Sequence, residues 1–291
     1  MSLDAYVLTD WFAEKARDLP WRRPDCSAWG VLVSEIMLQQ TPVARVEPSW
    51  HEWMARWPTP SALAAATPAD VLRMWGKLGY PRRALRLRDA ATVIAARHGD
   101  VVPSDVDTLL ALPGIGAYTA RAVAAFAYRK RCPVVDTNVR RVIARAVHGA
   151  GDAGPASNTR DMADAEKLLP DDDEHAAQLS AALMELGATV CTARNPRCAD
   201  CPVFDVCAWQ LAGKPAYDGP LKPVQKFAGT DRQVRGLLLD VLRDTSIPVP
   251  KTRLDLVWSD AGQRDRCLDS LLVDGLVEQT ADGMFALPGE H

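Results

Sequence analysis

Two carboxylates stand where their surroundings would set them to opposite tasks. Glu35 is the one ionisable residue in AWGVLVSEIMLQQ (28–40), with Val31 and Leu38 on its helical face. Desolvation disfavours the charged form, so its pKa is expected to rise. A glutamate on the helix surface would carry no such shift. Asp136 lies in PVVDTNVRRVIAR (133–145), where an extended Pro-Val-Val delivers it to the start of a helix. A helix N-terminus favours the ionised form, and Asn138 is close enough in sequence to fix its orientation. An aspartate that only caps a helix would read the same way. A protonated Glu35 near an ionised Asp136 would supply the acid and the anion that acid–base chemistry needs.

Four of the seven cysteines follow the spacing Cys-x6-Cys-x2-Cys-x5-Cys, at Cys191, Cys198, Cys201 and Cys207. Four thiolates on one compact loop can hold zinc or an iron–sulfur cluster. Zinc ribbons pair two Cys-x2-Cys knuckles across a long gap. Here the gaps are short and only one is Cys-x2-Cys, which favours a [4Fe–4S] cluster. Arg194 and Arg197 within the loop could meet phosphate. Cys26, Cys132 and Cys267 are scattered and read as small buried apolar residues.

LPGIGAYTARAVAAFAY (112–128) places a tight Leu-Pro-Gly-Ile-Gly turn before an apolar helix. Gly114 and Gly116 allow positive φ and expose backbone N–H groups at a helix N-terminus, a phosphate-binding arrangement. A plain glycine turn between helices is the simpler reading. Net charge is −3, so bulk charge gives no argument for nucleic acid. The distribution does: 73–97 and 121–145 each hold seven basic residues against one acid, whereas 161–175 holds seven acids and one Lys. Solvated helix faces would give the same pattern.

The elements that must position these groups are mostly helices. Apolar residues recur at helical spacing in ten segments between residues 5 and 186, punctuated by Pro and Gly, with Thr67-Pro68 and Ser104 as helix starts. GKPAYDGPLKPVQ (213–225) reads as a linker. Beyond it, 230–244, 251–258 and 262–277 read as three helices, and 277–288 as a hairpin around Asp282-Gly283. That is the order of a winged helix; a small helical cap is the alternative. The 291 residues thus divide into 1–212, a linker 213–229 and a unit 230–291. No run of 18 apolar residues exists, and the N-terminus lacks a basic region before an apolar run, so neither a membrane span nor a secretory signal is expected. The expected address is the cytoplasm.

Together LPGIG, VDTNV and the four-cysteine loop resemble the iron–sulfur DNA glycosylases of the endonuclease III superfamily, over residues 1 to about 212. LPWR (19–22), SEIMLQQT (34–41) and ALMELGATVC (182–191) narrow the resemblance to adenine DNA glycosylases of the MutY type. The resemblance implies a mainly α, two-lobed helix–hairpin–helix fold with the active site in the cleft between the lobes. It implies Glu35 as general acid, Asp136 as the carboxylate that stabilises the sugar intermediate, and Gln40 as a wedge in the duplex. Arg22 and Glu185 would contact the flipped adenine, and Leu112 to Tyr118, with Gly114 and Gly116, would grip the phosphate backbone. The four cysteines would hold a [4Fe–4S] cluster. The substrate would be double-stranded DNA with adenine opposite 8-oxoguanine or guanine, the enzyme a monomer.

Endonuclease III-like lyases carry a Lys two residues after the second hairpin glycine. This chain has Tyr118, and a phenol forms no imine. A glycosylase without efficient strand cleavage is expected, with Tyr118 facing the sugar beside Asn138. Two departures concern lesion reading. The family usually carries a C-terminal Nudix-like domain of about 130 residues, whereas about 78 residues follow Gly213 here, with no histidine before His291. The family often has two aromatics after the glycine of GYPRRA (79–84), one stacking beside 8-oxoguanine; this chain has Tyr80 followed by Pro81. The rival readings are an endonuclease III-like glycosylase/lyase for oxidised pyrimidines, a non-enzymatic iron–sulfur DNA-binding redox sensor, and a zinc-stabilised scaffold.

Overall fold

The computed structural model describes residues 3–220 and 227–290; of the expected linker, 221–226 lie outside the described residues. The helices are α1 (Ala5–Lys15), α2 (Ala28–Leu38), α3 (Val43–Arg56), α4 (Pro60–Ala64), α5 (Pro68–Trp75), α6 (Arg82–Arg97), α7 (Val106–Leu110), α8 (Ala117–Tyr128), α9 (Thr137–Ala146), α10 (Asn158–Glu166), α11 (Asp173–Thr189) and α12 (Ala208–Leu211). α13 (Asp231–Arg243), α14 (Lys251–Leu254) and α15 (Ala261–Val273) follow, then β1 (Glu278–Gln279) and β2 (Phe285–Ala286). Thr67 caps α5 through the Asp70 N–H at 3.1 Å, with Pro68 in the first turn. At α7 the cap is Asp105 rather than Ser104: its carboxylate accepts from the Thr108 N–H at 2.9 Å. No described helix is long and apolar enough to cross a membrane.

The chain forms two compact units. One comprises Met1–Val31, Ser104–Leu110 and Gly116–Lys222. Its core joins Leu8 of α1, Val139, Val142 and Ile143 of α9, and Leu179, Leu183 and Leu186 of α11. A second cluster is built of small residues, Ala122, Ala125 and Ala177 with Val134. α9 and α11 meet closely because of Gly187: a Cβ there would lie 2.7 Å from Asn138 Cβ and 2.8 Å from its carbonyl oxygen.

The other unit comprises Leu32–Pro103, Ala111–Ile115 and Pro223–His291. Trp53 packs edge-on against Trp57 and Trp75, with ring centroids 4.7 and 5.6 Å apart. The C-terminal residues share this unit's interior. Val234, Leu238, Leu242, Leu268, Leu271, Phe285 and Leu287 form one apolar cluster with Ala69 and Leu72 of α5. β1 and β2 pair antiparallel, Glu278 opposite Ala286, and Val249 bridges Phe285. The three-helix-then-hairpin order matches the sequence reading, with α14 continuing as a 3₁₀ turn, Asp255–Val257. Arg73 and Arg243 fasten this segment to α5. Arg73 Nη2 meets Glu290 at 2.8 Å, and Arg243 Nε donates to the Leu72 carbonyl at 3.0 Å.

Candidate active site

Asp136 is the N-cap of α9. Its Oδ1 accepts from the backbone N–H groups of Asn138 and Val139, each at 2.8 Å, and its Oδ2 accepts from Asn138 Nδ2 at 2.7 Å. The carboxylate is therefore both a helix cap and a rigidly aimed group. Burial pushes its pKa up, against the lowering effects of those hydrogen bonds and of Arg141. The helix N-terminus alone does not decide the charge, as the sequence suggested it would. Asn138 is held in turn by Arg141, whose Nη2 donates to Asn138 Oδ1 at 2.7 Å and to the Gly187 carbonyl at 2.6 Å. Tyr118, on α8, packs against the small-residue cluster of the same unit.

Glu35 is buried, 5% exposed, on a helix whose residues from Trp29 to Met37 are all buried. The surface-glutamate alternative is thereby excluded. Two residues past the end of α2, Gln40 is exposed with φ +58°. A left-handed non-glycine residue is uncommon, and here it presents a polar side chain to solvent. The turn is held by Arg83, which the sequence reading did not single out. Its guanidinium donates to the carbonyls of Ile36 at 2.8 Å, Gln39 at 2.5 Å and Gly79 at 3.1 Å. Burial lowers its pKa to about 10. It also lies 5.4 Å from the centroid of the Tyr80 ring. Tyr80 has φ +49° and is 43% exposed. Pro81 follows as the N-cap of α6, a position that needs no N–H donor.

In the hairpin, Leu112 and Ile115 are buried, and the Ile115 N–H donates to the Leu112 carbonyl at 3.2 Å. Gly114 uses its freedom: φ is +73°, and a Cβ would meet Arg86 Cβ at 2.7 Å. Gly116 differs from the expectation. Its φ is −94°, it caps α8 without a side-chain bond, and nothing crowds its missing Cβ. No side chain of the cap residue occupies the N-terminus of α8, the end of a helix that attracts anions.

Arg22 and Glu185 are brought together. Glu185 is fully buried and accepts from Arg22 Nη2 at 2.9 Å. Arg17, another residue the sequence reading missed, donates to it through Nε at 2.7 Å and Nη2 at 2.8 Å. Burial alone would raise the Glu185 pKa; the Arg17 hydrogen bond and the Arg22 charge override it and hold the group at about 2. Arg22 Nη1 is buried without a hydrogen-bond partner. An unsatisfied buried donor is costly, and a ring nitrogen of a bound base would satisfy it.

Cys191, Cys198, Cys201 and Cys207 line one pocket together with Val142, Arg145 and Trp209. Among the described residues no three side chains close on a single-ion point. Soft thiols framing a cavity fit a cluster, whose own iron and sulfide fill the space between them. Burial pushes the Cys191 thiol's pKa up, and Arg145 Nη1, 3.5 Å from its Sγ, opposes that shift. Arg145 also donates to the Thr192 carbonyl at 2.8 Å, and Arg141 Nε to the Cys191 carbonyl at 2.7 Å. Two arginines of α9 thus tie the cysteine loop to the helix that Asp136 caps.

Comparison with known proteins matches residues 33–166 to the HhH-GPD superfamily of base excision DNA repair proteins, and 191–207 to the iron–sulfur binding domain of endonuclease III. The second match begins at Cys191 and ends at Cys207, so the chain has an iron–sulfur cofactor site. The chain is 67% identical over 291 residues to an adenine DNA glycosylase of Mycolicibacterium smegmatis, covering all of this chain and 98% of that protein. It is 63% identical over 284 residues to an adenine DNA glycosylase of Mycobacterium tuberculosis, 97% of this chain and 93% of that one. A solved thermostable thymine-DNA glycosylase superposes with a TM-score of 0.64 at 25% identity, over 72% of this chain and 95% of that one.

Proposed function

The chain belongs to the adenine DNA glycosylases of the HhH-GPD superfamily, and from that premise we propose that it excises adenine opposite 8-oxoguanine or guanine, as a monomer in the bacterial cytosol, and does not itself cut the strand. The glycosidic bond is out of reach in the base stack, so adenine must first be flipped out. Gln40, exposed on its left-handed turn, fills the space left in the duplex. The hairpin around Gly114 and the N-terminus of α8 take phosphate. Arg22, with its buried unpaired Nη1, meets the base beside Glu185.

Protonated Glu35 donates its proton to adenine N7. The C1′–N9 bond breaks and its electron pair leaves with the base. Asp136 stabilises the cationic sugar, with Asn138 and Tyr118 beside it. Water then adds at C1′, giving its proton to the Glu35 carboxylate and restoring the acid. This is glycoside hydrolysis by two carboxylates, applied to a nucleoside. Cys191, Cys198, Cys201 and Cys207 would hold a [4Fe–4S] cluster, which contributes cross-linking of the loop and no bond-making step.

The observation that carries this reading is Asp136: a half-buried carboxylate with both oxygens fixed by a helix N-terminus and one amide. Tyr118 in place of an amine supports hydrolysis over imine formation. The test is single-turnover reaction on duplexes with adenine opposite 8-oxoguanine and opposite guanine. Alkali-dependent cutting is expected, with little cutting in untreated samples. Equal cutting without alkali, together with a borohydride-trapped adduct, would overturn the monofunctional assignment.

A further inference from the structure

The C-terminal segment touches the Tyr80 turn at one corner. Arg232, in the first turn of α13, points Nη1 at the Tyr80 hydroxyl, 3.4 Å away. The same guanidinium lies 5.2 Å from the centroid of Phe227, whose ring is 54% exposed. Phe227 is placed by a tight turn in which its carbonyl accepts from the Thr230 hydroxyl at 2.7 Å. Tyr80 is itself exposed, on strained backbone, with Arg83 against its face. Arg83 donates to both the Gln39 and the Gly79 carbonyls, so the Gln40 and Tyr80 turns are neighbours. A row results within one unit: Gln40, Arg83, Tyr80, Arg232, Phe227.

Most basic groups of the C-terminal segment are committed to acids. Arg235 pairs with Asp274, Lys251 with Asp255 and Asp265, Arg266 with Asp231. Arg232 meets no acid among the described residues; it contacts the Tyr80 hydroxyl and the Phe227 ring. Two exposed rings with a guanidinium between them is what an unstacked base and its phosphate require: a π-face on which to stack and a cation beside it. Tyr80 keeps one part of its ring against Arg83 and leaves 43% of the residue exposed on left-handed backbone.

We propose that Phe227 and Arg232 form, with Tyr80, a base-stacking subsite of the DNA interface, through which the C-terminal segment grips the duplex beside the Gln40 wedge. The subsite rests on the reading of the chain as an adenine DNA glycosylase and adds to it a contact from outside residues 1–212.

The experiment measures the Kd of the full chain, cluster loaded, for a duplex carrying non-cleavable 2′-fluoroadenosine opposite 8-oxoguanine. Phe227→Ala and Arg232→Ala should each weaken binding about five- to tenfold. Arg253→Ala, an exposed charge on α14, should stay within about twofold of wild type on the same scale. Thermal unfolding of the variants should match wild type. Wild-type affinity in both Phe227→Ala and Arg232→Ala overturns the subsite. Equal weakening in all three variants also overturns it, because the effect then belongs to the segment's fold. With guanine in place of 8-oxoguanine, an equal loss assigns the subsite to the duplex in general, and a smaller loss assigns it to the lesion; both support it. Failure of the wild type to release adenine would instead count against the parent reading.

Discussion

Glu185 shows how a full negative charge is kept in a buried place. Two guanidinium groups surround it, and their attraction outweighs desolvation. A carboxylate held at about 2 contributes stability that is complete above its unfolded value near 4.5 and is lost as pH falls toward 2. The shift corresponds to roughly 3 kcal/mol at neutral pH. Glu185→Gln is therefore expected to lower stability at pH 7 by about that amount, and the difference from wild type should shrink by pH 3. Denaturant titrations at the two pH values measure it; an unchanged difference would refute the ion-pair account. Asp136 is shifted the other way, and its anion is the form proposed to meet the sugar. The single-turnover rate should fall in acid through an apparent pKa above 3.8, and Asp136→Asn should remove that limb. Glu35→Gln should cut base release by at least about a thousandfold while duplex affinity holds, since its proposed task is proton transfer. Excision near the wild-type rate would dismiss Glu35 as the acid.

At the scale of elements, the carboxylates and cysteines were legible because their neighbours in sequence define them. Glu35 stands out as one charge in an apolar helix, and Asp136 as a cap after an extended run. The long helices were legible from their apolar period. α4 and α12, of five and four residues, are too short to show one. Arg17, Arg83 and Arg141 were not legible, because their partners lie far along the chain: Glu185 for Arg17, the end of α2 for Arg83, Cys191 for Arg141. No local pattern marks an arginine whose acceptors are distant carbonyls. Gly187 was read only as part of a motif, yet it lets α11 reach Asn138. Gly187→Ala should displace Asn138 and slow excision at least about tenfold while the cluster's visible absorbance stays. An unaffected rate would show that the helices can part without moving Asp136.

Over the whole molecule, the C-terminal segment is part of a core rather than an appendage. Leu72 of α5 shares its apolar cluster with Leu238, Leu271 and Phe285. Leu72→Ala should cost about 2–5 kcal/mol, and hydrogen exchange should accelerate in α13 as well as in α5. Protection lost from α5 alone would mean that the two fold separately. The cysteine loop has a wider consequence still. Arg141 holds the Cys191 carbonyl with one nitrogen and the amide that orients Asp136 with another. The loop that the cysteines frame and the carboxylate that caps α9 thus share one anchor, and a side chain removed from position 141 would loosen both at once.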